Sequence, residues 1–271
     1  MERAGQNRQG ETGRDSPLSP SQGAAYAAGP IRWLVVFAGI VTDTLRACLP
    51  TIWEAMLGES DRARTDRRIH WYVERLLGYP SVRVTVSNPH GITFRSGRPT
   101  IVMSNHRSLF DIPVIYHCVG GTLRMLTKKE LFRIPIFGQA LRAAEFVCVD
   151  RSDHQKALDA LATAREQMES GVLVWISPEG TRSRDAKLGR FKKGGFMLAL
   201  EAGAEIIPMG ISGTERVLPA GKFFRLRCGE HVTVRIGKPV KAADYSIETR
   251  DEFLRAVKES IRRLSGEAAA C

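Results

Sequence analysis

The sequence predicts an α/β fold: a mixed, largely parallel sheet flanked by helices, behind an N-terminal apolar helical segment that associates with a membrane. Three observations carry this. From about residue 79 onward, short β-rich runs alternate with helical stretches, the pattern of a sheet built through helical crossovers. The chain of 271 residues is 43% hydrophobic, enough to fill a sizeable core. Residues 31–57 form its most apolar stretch, and an arginine-rich segment follows directly.

Residues 1–29 are rich in Gly, Ser, Pro, Gln and Arg and read as a disordered leader. A secretory signal would place its apolar region near the start, so these polar residues argue against one. Residues 30–78 read as the membrane-associating helical segment. Its uninterrupted apolar core runs from Trp33 to Thr42, whereas a membrane span needs about 20 residues. Asp43, Arg46 and Pro50 interrupt the stretch. A broken helical hairpin or an interfacial helix fits it better than a straight span. The segment "RARTDRRIHWYVER" (62–75) adds five arginines, Trp71 and Tyr72, a basic and aromatic pairing suited to a membrane surface.

Residues 79–265 read as the α/β domain and 266–271 as a tail. Strands are predicted at 82–86, 100–104, 122–126, 145–149, 172–176, 205–211 and 231–237. Helices are predicted at 109–118, 153–169, 193–203 and 249–264. Ser152 and Gln155 suggest a capping box for the helix at 153. Open α/β sheets bind ligands at the carboxyl ends of their strands, which directs attention to the loops after 104, 126, 149 and 176.

"SNHRSLFDIP" (104–113) opens the first of these loops. With Ser108 as N-cap, Asp111 is the third helical residue, where a carboxylate suits the dipole and reaches back to the cap amide. It equally reads as the partner of His106. A histidine can take a proton from a hydroxyl, and a carboxylate on its other ring nitrogen fixes the tautomer. On one continuous helix the five-residue spacing would miss by about 140°, so His106 must sit in the loop.

"SPEGTRSR" (177–184) supplies Gly180 for a tight turn, Arg182 as a planar fork suited to phosphate, and Glu179 as a hydrogen-bond acceptor for a substrate group or a neighbouring base. "KKELFRIPIFG" (128–138) places Lys128, a candidate anion ligand, beside the apolar residues Leu131, Phe132, Ile134, Ile136 and Phe137. Arg151, directly after a predicted strand, is a further candidate anion ligand. Five scattered cysteines, with no C-x-x-C pair, argue against a zinc site or a disulfide framework. The excess of 40 Lys+Arg over 29 Asp+Glu, a formal +11, points to anionic partners. Neither a zinc finger, an RNP-like strand nor a helix-turn-helix appears, so nucleic acid is not the partner expected.

In order, these blocks resemble the lysophosphatidate acyltransferases (1-acylglycerol-3-phosphate O-acyltransferases) over residues 80–215. The N-H-x-x-x-x-D block is Asn105, His106 and Asp111. The K-x-x-L-x-x-x-P-x-x-G block is Lys128, Leu131, Pro135 and Gly138, leading to Asp150 and Arg151. The P-E-G-T-R block is Pro178, Glu179, Gly180, Thr181 and Arg182, and the late proline block is Ile206, Ile207 and Pro208. Ser177 stands where phenylalanine is common, and Ala144 and Glu145 occupy a region where the family usually has a glycine. The resemblance implies transfer of a fatty acyl group from acyl-CoA or acyl carrier protein to the sn-2 hydroxyl of 1-acylglycerol-3-phosphate, giving phosphatidic acid. It implies His106 and Asp111 as catalytic groups, and Glu179, Gly180, Thr181, Arg182, Lys128 and Arg151 as positioning the acceptor, supported by Asn105, Pro178 and Pro208. It implies no metal and no cofactor beyond the thioester co-substrate. Membrane lipids are the expected partners, at the cytoplasmic face of the inner or plasma membrane. Another lysolipid acceptor, such as lyso-ornithine lipid, is the alternative; a non-catalytic lipid-binding protein is a more distant one.

Overall fold

The computed structural model of the chain describes residues 24–94, 97–150, 152–183 and 187–267. Its centre is a sheet of strands β2 (Arg83–Ser87), β3 (Thr100–Ser104), β4 (Leu123–Lys128), β5 (Val147–Val149), β6 (Leu173–Ile176), β7 (Glu205–Ser212) and β9 (His231–Ile236). Their spatial order is β2-β9-β7-β3-β6-β4-β5, and β10 (Val240–Lys241) also pairs with β7. The pairs from β7 through β5 are parallel, as is β2 with β9, and the β7–β9 pair is antiparallel. The sheet is therefore mixed and largely parallel, as the alternating sequence pattern predicts.

Both faces of the central strands are covered. On β3, Val102 enters one core cluster while Ile101 and Met103 enter the other; on β6, Leu173 and Trp175 alternate in the same way with Val174 and Ile176. The first face is covered by α1 (Pro30–Met56), α2 (Arg62–Gly78) and α3 (Asp111–Cys118). The second is covered by α5 (His154–Glu169), α6 (Gly194–Glu201) and α8 (Arg250–Leu264). Two short helices, α4 (Phe137–Ala143) and α7 (Thr214–Val217), and a two-residue ladder between β1 (Tyr26–Ala27) and β8 (Arg227–Cys228) complete the chain.

Of the two forms expected for the N-terminal segment, a broken hairpin and an interfacial helix, the structure does not show the broken one. α1 runs unbroken for 27 residues through Pro50, and the reversal falls at 57–61. Of the residues that interrupt its apolar run, Asp43 faces inward, while Arg46 and Pro50 are exposed. Asp43 is buried and accepts hydrogen bonds from Tyr79 and from Arg75 Nε at 2.8 Å. Burial opposes its charge, but these donors outweigh burial and hold the carboxyl below its ordinary value. Thr44 bonds Tyr72 at 2.7 Å, and Arg68 bonds Thr51 at 2.9 Å. Polar contacts therefore zip α1 to α2, while Leu34, Val35, Val41, Leu45, Leu49, Trp53 and Met56 form an exposed apolar stripe along the outer side of α1.

Three further expectations concern the chain ends and one helix cap. Most of the leader expected over 1–29 lies outside the described residues, but Tyr26 and Ala27 are ordered by pairing with Cys228 and Arg227. The helix at 154 is capped by Asp153, whose side chain accepts from Lys156 N at 3.2 Å. Ser152 cannot serve there because Asp150 and Lys129 hold its hydroxyl, at 2.6 and 2.9 Å. Of residues 266–271, expected as a tail, Glu267 is engaged near the candidate site, and 268–271 lie outside the described residues.

Glu145 occupies the region where the family glycine is absent, and its φ is +61°, a left-handed conformation. The strain is held by a two-pronged pair with Arg62 at 2.6 and 2.9 Å and by Gln167, which donates to the Glu145 carbonyl at 2.7 Å. The same pair docks the start of α2 onto the α/β domain. Glu145→Ala and Glu145→Gly both remove the pair, but only alanine keeps the backbone penalty. The alanine variant is therefore expected to be less stable than the glycine variant by about 0.5–1 kcal/mol, read from thermal or denaturant unfolding.

Candidate active site

The carboxyl ends of β3, β6 and β7 bring three loops together. β3 ends at Ser104, whose hydroxyl accepts Trp175 Nε1 of β6 at 3.0 Å. Asn105 then locks the chain to β7: its amide donates to the Ile211 carbonyl and its oxygen accepts from Ile211 N, both at 2.8 Å. This pair extends the β3–β7 ladder by one step and presents the next residue, His106, at the sheet edge.

His106 sits in the loop. Its Nδ1 lies 2.8 Å from Asp111 Oδ2, and its ring meets the Trp175 ring edge-on at 5.9 Å. Asp111 is fully buried. Its Oδ2 also accepts from Arg107 N at 2.6 Å and Ser108 N at 2.8 Å, and its Oδ1 accepts from Thr214 Oγ1. The cap and the partner readings thus hold together: the bond back to the Ser108 amide is the one a capping box would make. The α-helix itself starts at Asp111, because the turn before it closes through tighter bonds, Asp111 N to Ser108 O and Ile112 N to Leu109 O at 3.3 Å, while the Ser108 hydroxyl accepts from Phe110 N as a cap does and donates to the Leu218 carbonyl. Asp111 Oδ2 accepts from both amides, and the hydrogen bond at Nδ1 places the ring proton on that nitrogen, facing Asp111. Nε2 is then left with its lone pair, the atom that can accept a proton from a hydroxyl.

Glu179 is buried behind His106. Its Oε1 accepts from His106 N at 3.1 Å and its Oε2 from Gly189 N at 2.8 Å. Burial pushes its carboxyl up, a shift that the two amides and His106 oppose. Both oxygens are engaged with the backbone, so its contacts hold the histidine loop. Gly180 takes φ +73°, closing the turn in which its amide donates to Ser177 O at 3.0 Å. Ser183 N then donates to the His106 carbonyl at 2.8 Å, which brings the half-buried Arg182 next to the histidine. Among the described residues, Arg182 makes no hydrogen bond or ion pair. Thr181 is exposed at the same turn, and Pro178 is buried with its carbonyl bonded to Lys192 N at 2.8 Å.

The remaining candidates stand apart. Lys128 ends β4, on the far side of β6 from β3, so about 10 Å of sheet separates the two strands. It is exposed, and it is its neighbour Lys129 that pairs with Asp150, at 2.8 Å. Arg151 lies outside the described residues. Pro208 is buried in β7 where its flanking partner changes from β10 to β9, a place where a missing N–H is tolerated. Gly138 has a packing role: a Cβ there would lie 2.2 Å from the Phe132 carbonyl oxygen.

Two contributors carry no sequence signal near the motif blocks. Thr214 reaches Asp111 from 103 residues away, and Glu267 pairs with Arg107 and accepts from Leu188 N at 3.0 Å. A third feature is an apolar cavity of about 170 Å³ between the α1–α2 hairpin and the α/β domain. Ile112 and Pro113, directly after Asp111, line it, with Leu131 and Phe137 from the apolar run and Ile69 and Tyr72 from α2. Phe132 instead packs as core and Ile134 is exposed.

The family profile described as Acyltransferase matches residues 83–212. The chain is 32% identical over 178 residues to the chloroplastic 1-acyl-sn-glycerol-3-phosphate acyltransferase LPAT1 of Arabidopsis thaliana, covering 64% of this chain and 49% of that protein. It is 30% identical over 204 residues to the 1-acyl-sn-glycerol-3-phosphate acyltransferase of Limnanthes douglasii, covering 68% of this chain and 72% of that one. It spans about half the length of the first of these relatives. Among solved structures, the 1-acyl-sn-glycerophosphate acyltransferase PlsC of Thermotoga maritima superimposes with a TM-score of 0.67 at 26% identity, over 88% of this chain and 98% of that one.

Thr214→Val keeps the shape of the side chain and deletes the donor to Asp111 Oδ1. It is expected to destabilise the fold by about 1–3 kcal/mol in denaturant unfolding, because a buried carboxylate oxygen loses its partner. Thr214→Ser should recover most of that loss.

Proposed function

Because the chain belongs to the 1-acyl-sn-glycerol-3-phosphate acyltransferase family, we propose that it transfers a fatty acyl group from acyl-CoA or acyl carrier protein to the free sn-2 hydroxyl of 1-acyl-glycerol-3-phosphate, releasing phosphatidic acid. The observation that carries this reading is the buried Asp111 holding His106 through Nδ1. His106 Nε2 takes the hydroxyl proton as the oxygen attacks the thioester carbonyl. The tetrahedral intermediate collapses, the carbon–sulfur bond breaks, and the imidazolium returns its proton to the departing thiolate. A thioester is already activated, so no cofactor beyond this co-substrate is required. Asp111 stabilises the imidazolium in the first half and keeps the ring oriented in the second.

Arg182, half-buried beside His106 with no side-chain partner among the described residues, is the group we assign to the acceptor phosphate. The apolar cavity behind α3 offers an acyl chain a compartment reached past Ile112. Lysolipids reside in membranes, and the exposed apolar stripe of α1 with the arginines of α2 suits the surface of a bilayer on its cytoplasmic side, where thioester donors are made.

His106→Ala is expected to lower kcat by about 10²–10⁴ with the unfolding transition retained, and near-normal turnover by the folded variant would overturn the general-base role. Arg182→Ala should raise the KM for lysophosphatidate well above any change in the donor KM. Equal changes in both would count against the phosphate assignment. A panel of lysolipid acceptors, assayed with both donor types, tests the substrate itself.

A further inference from the structure

The loop from Leu218 to Leu226, between α7 and β8, carries the sequence Lys222-Phe223-Phe224-Arg225 at its tip. Both ends of the loop are anchored, since Leu218 and Leu226 are buried. Two successive turns, Lys222 N to Pro219 O at 3.1 Å and Arg225 N to Lys222 O at 2.9 Å, push the tip outward. Phe224 is 75% exposed and Phe223 about half exposed, flanked by the exposed Lys222 and Arg225. A single exposed ring is ordinary, but exposed aromatics that join a contiguous apolar patch mark an interaction surface.

These rings join a larger surface. Trp33 of α1 lies 5.0 Å from Phe224 and 5.8 Å from Phe223, and Phe37 stacks on Trp33 at 5.1 Å. Ile31, 80% exposed, and Leu34 continue the patch into the apolar stripe of α1. The union is held rigidly. The β1–β8 ladder straps the chain before α1 to the base of the loop, Ala28 N donates to the Leu226 carbonyl at 2.9 Å, and Arg32 Nε donates to Cys228 Sγ at 3.2 Å.

We propose that the Lys222–Arg225 tip is a second membrane-contact element, seated in the interface of an anionic lipid bilayer beside α1. The proposal rests on the membrane-acting reading given above. Charge complementarity selects the occupant: two phenylalanines sit at acyl-chain depth while the flanking Lys222 and Arg225 meet anionic headgroups. A second copy of the chain fits less well, because a two-fold contact through this tip would set the same positive charges against each other. The element also does what α1 cannot do alone. A helix of 27 residues, about 40 Å long, fixes one axis in the membrane plane and leaves the domain free to roll about it. A contact off that axis removes the roll. The tip is joined to the candidate site at its base, because Ser108 Oγ donates to the Leu218 carbonyl at 2.8 Å and Thr214, at the start of α7, donates to Asp111. Seating the tip therefore sets the orientation of the His106 turn relative to the lipid surface.

The test compares the full chain with a Phe223→Ser/Phe224→Ser variant and a Lys222→Gln/Arg225→Gln variant. Binding is read by co-sedimentation with phosphatidylcholine vesicles, with and without phosphatidylglycerol. Turnover is read on a vesicle-embedded acceptor and on a short-chain acceptor dissolved as monomers. The phenylalanine variant is expected to lose about tenfold in vesicle binding and in vesicle turnover, with monomeric turnover within about twofold of the parent. The charge variant should lose chiefly the increment that phosphatidylglycerol provides. Unchanged vesicle binding and vesicle turnover in the phenylalanine variant would overturn the proposal. So would an equal loss on both acceptors, which would mark the tip as structural support, or a shift from dimer to monomer in sedimentation velocity, which would assign it to a second copy. If the parent protein acylates neither acceptor, the acyltransferase reading fails separately, and vesicle binding still decides the role of the tip.

Discussion

The buried carboxylate of Asp111 is the constraint around which the candidate site is organised. A charge taken fully out of water is tolerated only when its lone pairs are satisfied. Here the donors come from the His106 ring, two consecutive amides of its own turn, and a threonine beyond β7. That requirement bends the chain between His106 and Asp111 back over the first turn of α3. It also ties the loop after β3 to the segment after β7. Asn105 reinforces the same join one residue earlier through Ile211. Glu179 holds the histidine loop from the other side through an amide. The three strand ends are thus connected by polar contacts to one anchored histidine whose remaining nitrogen is unencumbered by Asp111.

Much of this was legible in the sequence, for definable reasons. The central strands β3, β6 and β7 announced themselves as short apolar runs because their residues alternate between two cores, both covered. The His106–Asp111 spacing could be read because both partners lie within one turn, where local geometry limits the choices. The contributions of Thr214 and Glu267 could not, because each depends on where a distant segment returns in space. No local pattern distinguishes Thr214 from any other helix-start threonine. The same limit explains the N-terminal segment. Asp43 reads as an interruption of an apolar helix, yet its partners, Arg75 on the packed helix α2 and Tyr79 just after it, lie more than thirty residues away. With them in place the charge is a helix–helix contact, and α1 continues through Pro50. Glu145 is a different case: its left-handed backbone is visible only in the fold, while the missing family glycine was visible in the sequence.

The division of labour between the two parts of the molecule follows from where each one places its polar groups. In the α1–α2 hairpin, Asp43, Thr44 and Thr51 of α1 turn toward α2, while the apolar stripe of α1 faces outward. Burying that stripe at a lipid surface would remove apolar area from water without disturbing any hydrogen bond, because none of the pairing groups lies on that side. The inner faces of the two helices, together with α3 and α4, leave the apolar cavity beside Ile112. A chain entering this space from the proposed active site would pass directly from the polar turn at Asp111 into hydrocarbon-like surroundings. The hairpin would thus serve two roles with opposite faces, one toward the membrane and one toward the acyl group. A substitution that changed the inner face need not change the outer one. Binding to the bilayer and accommodation of the acyl chain are for that reason separable properties of a single pair of helices.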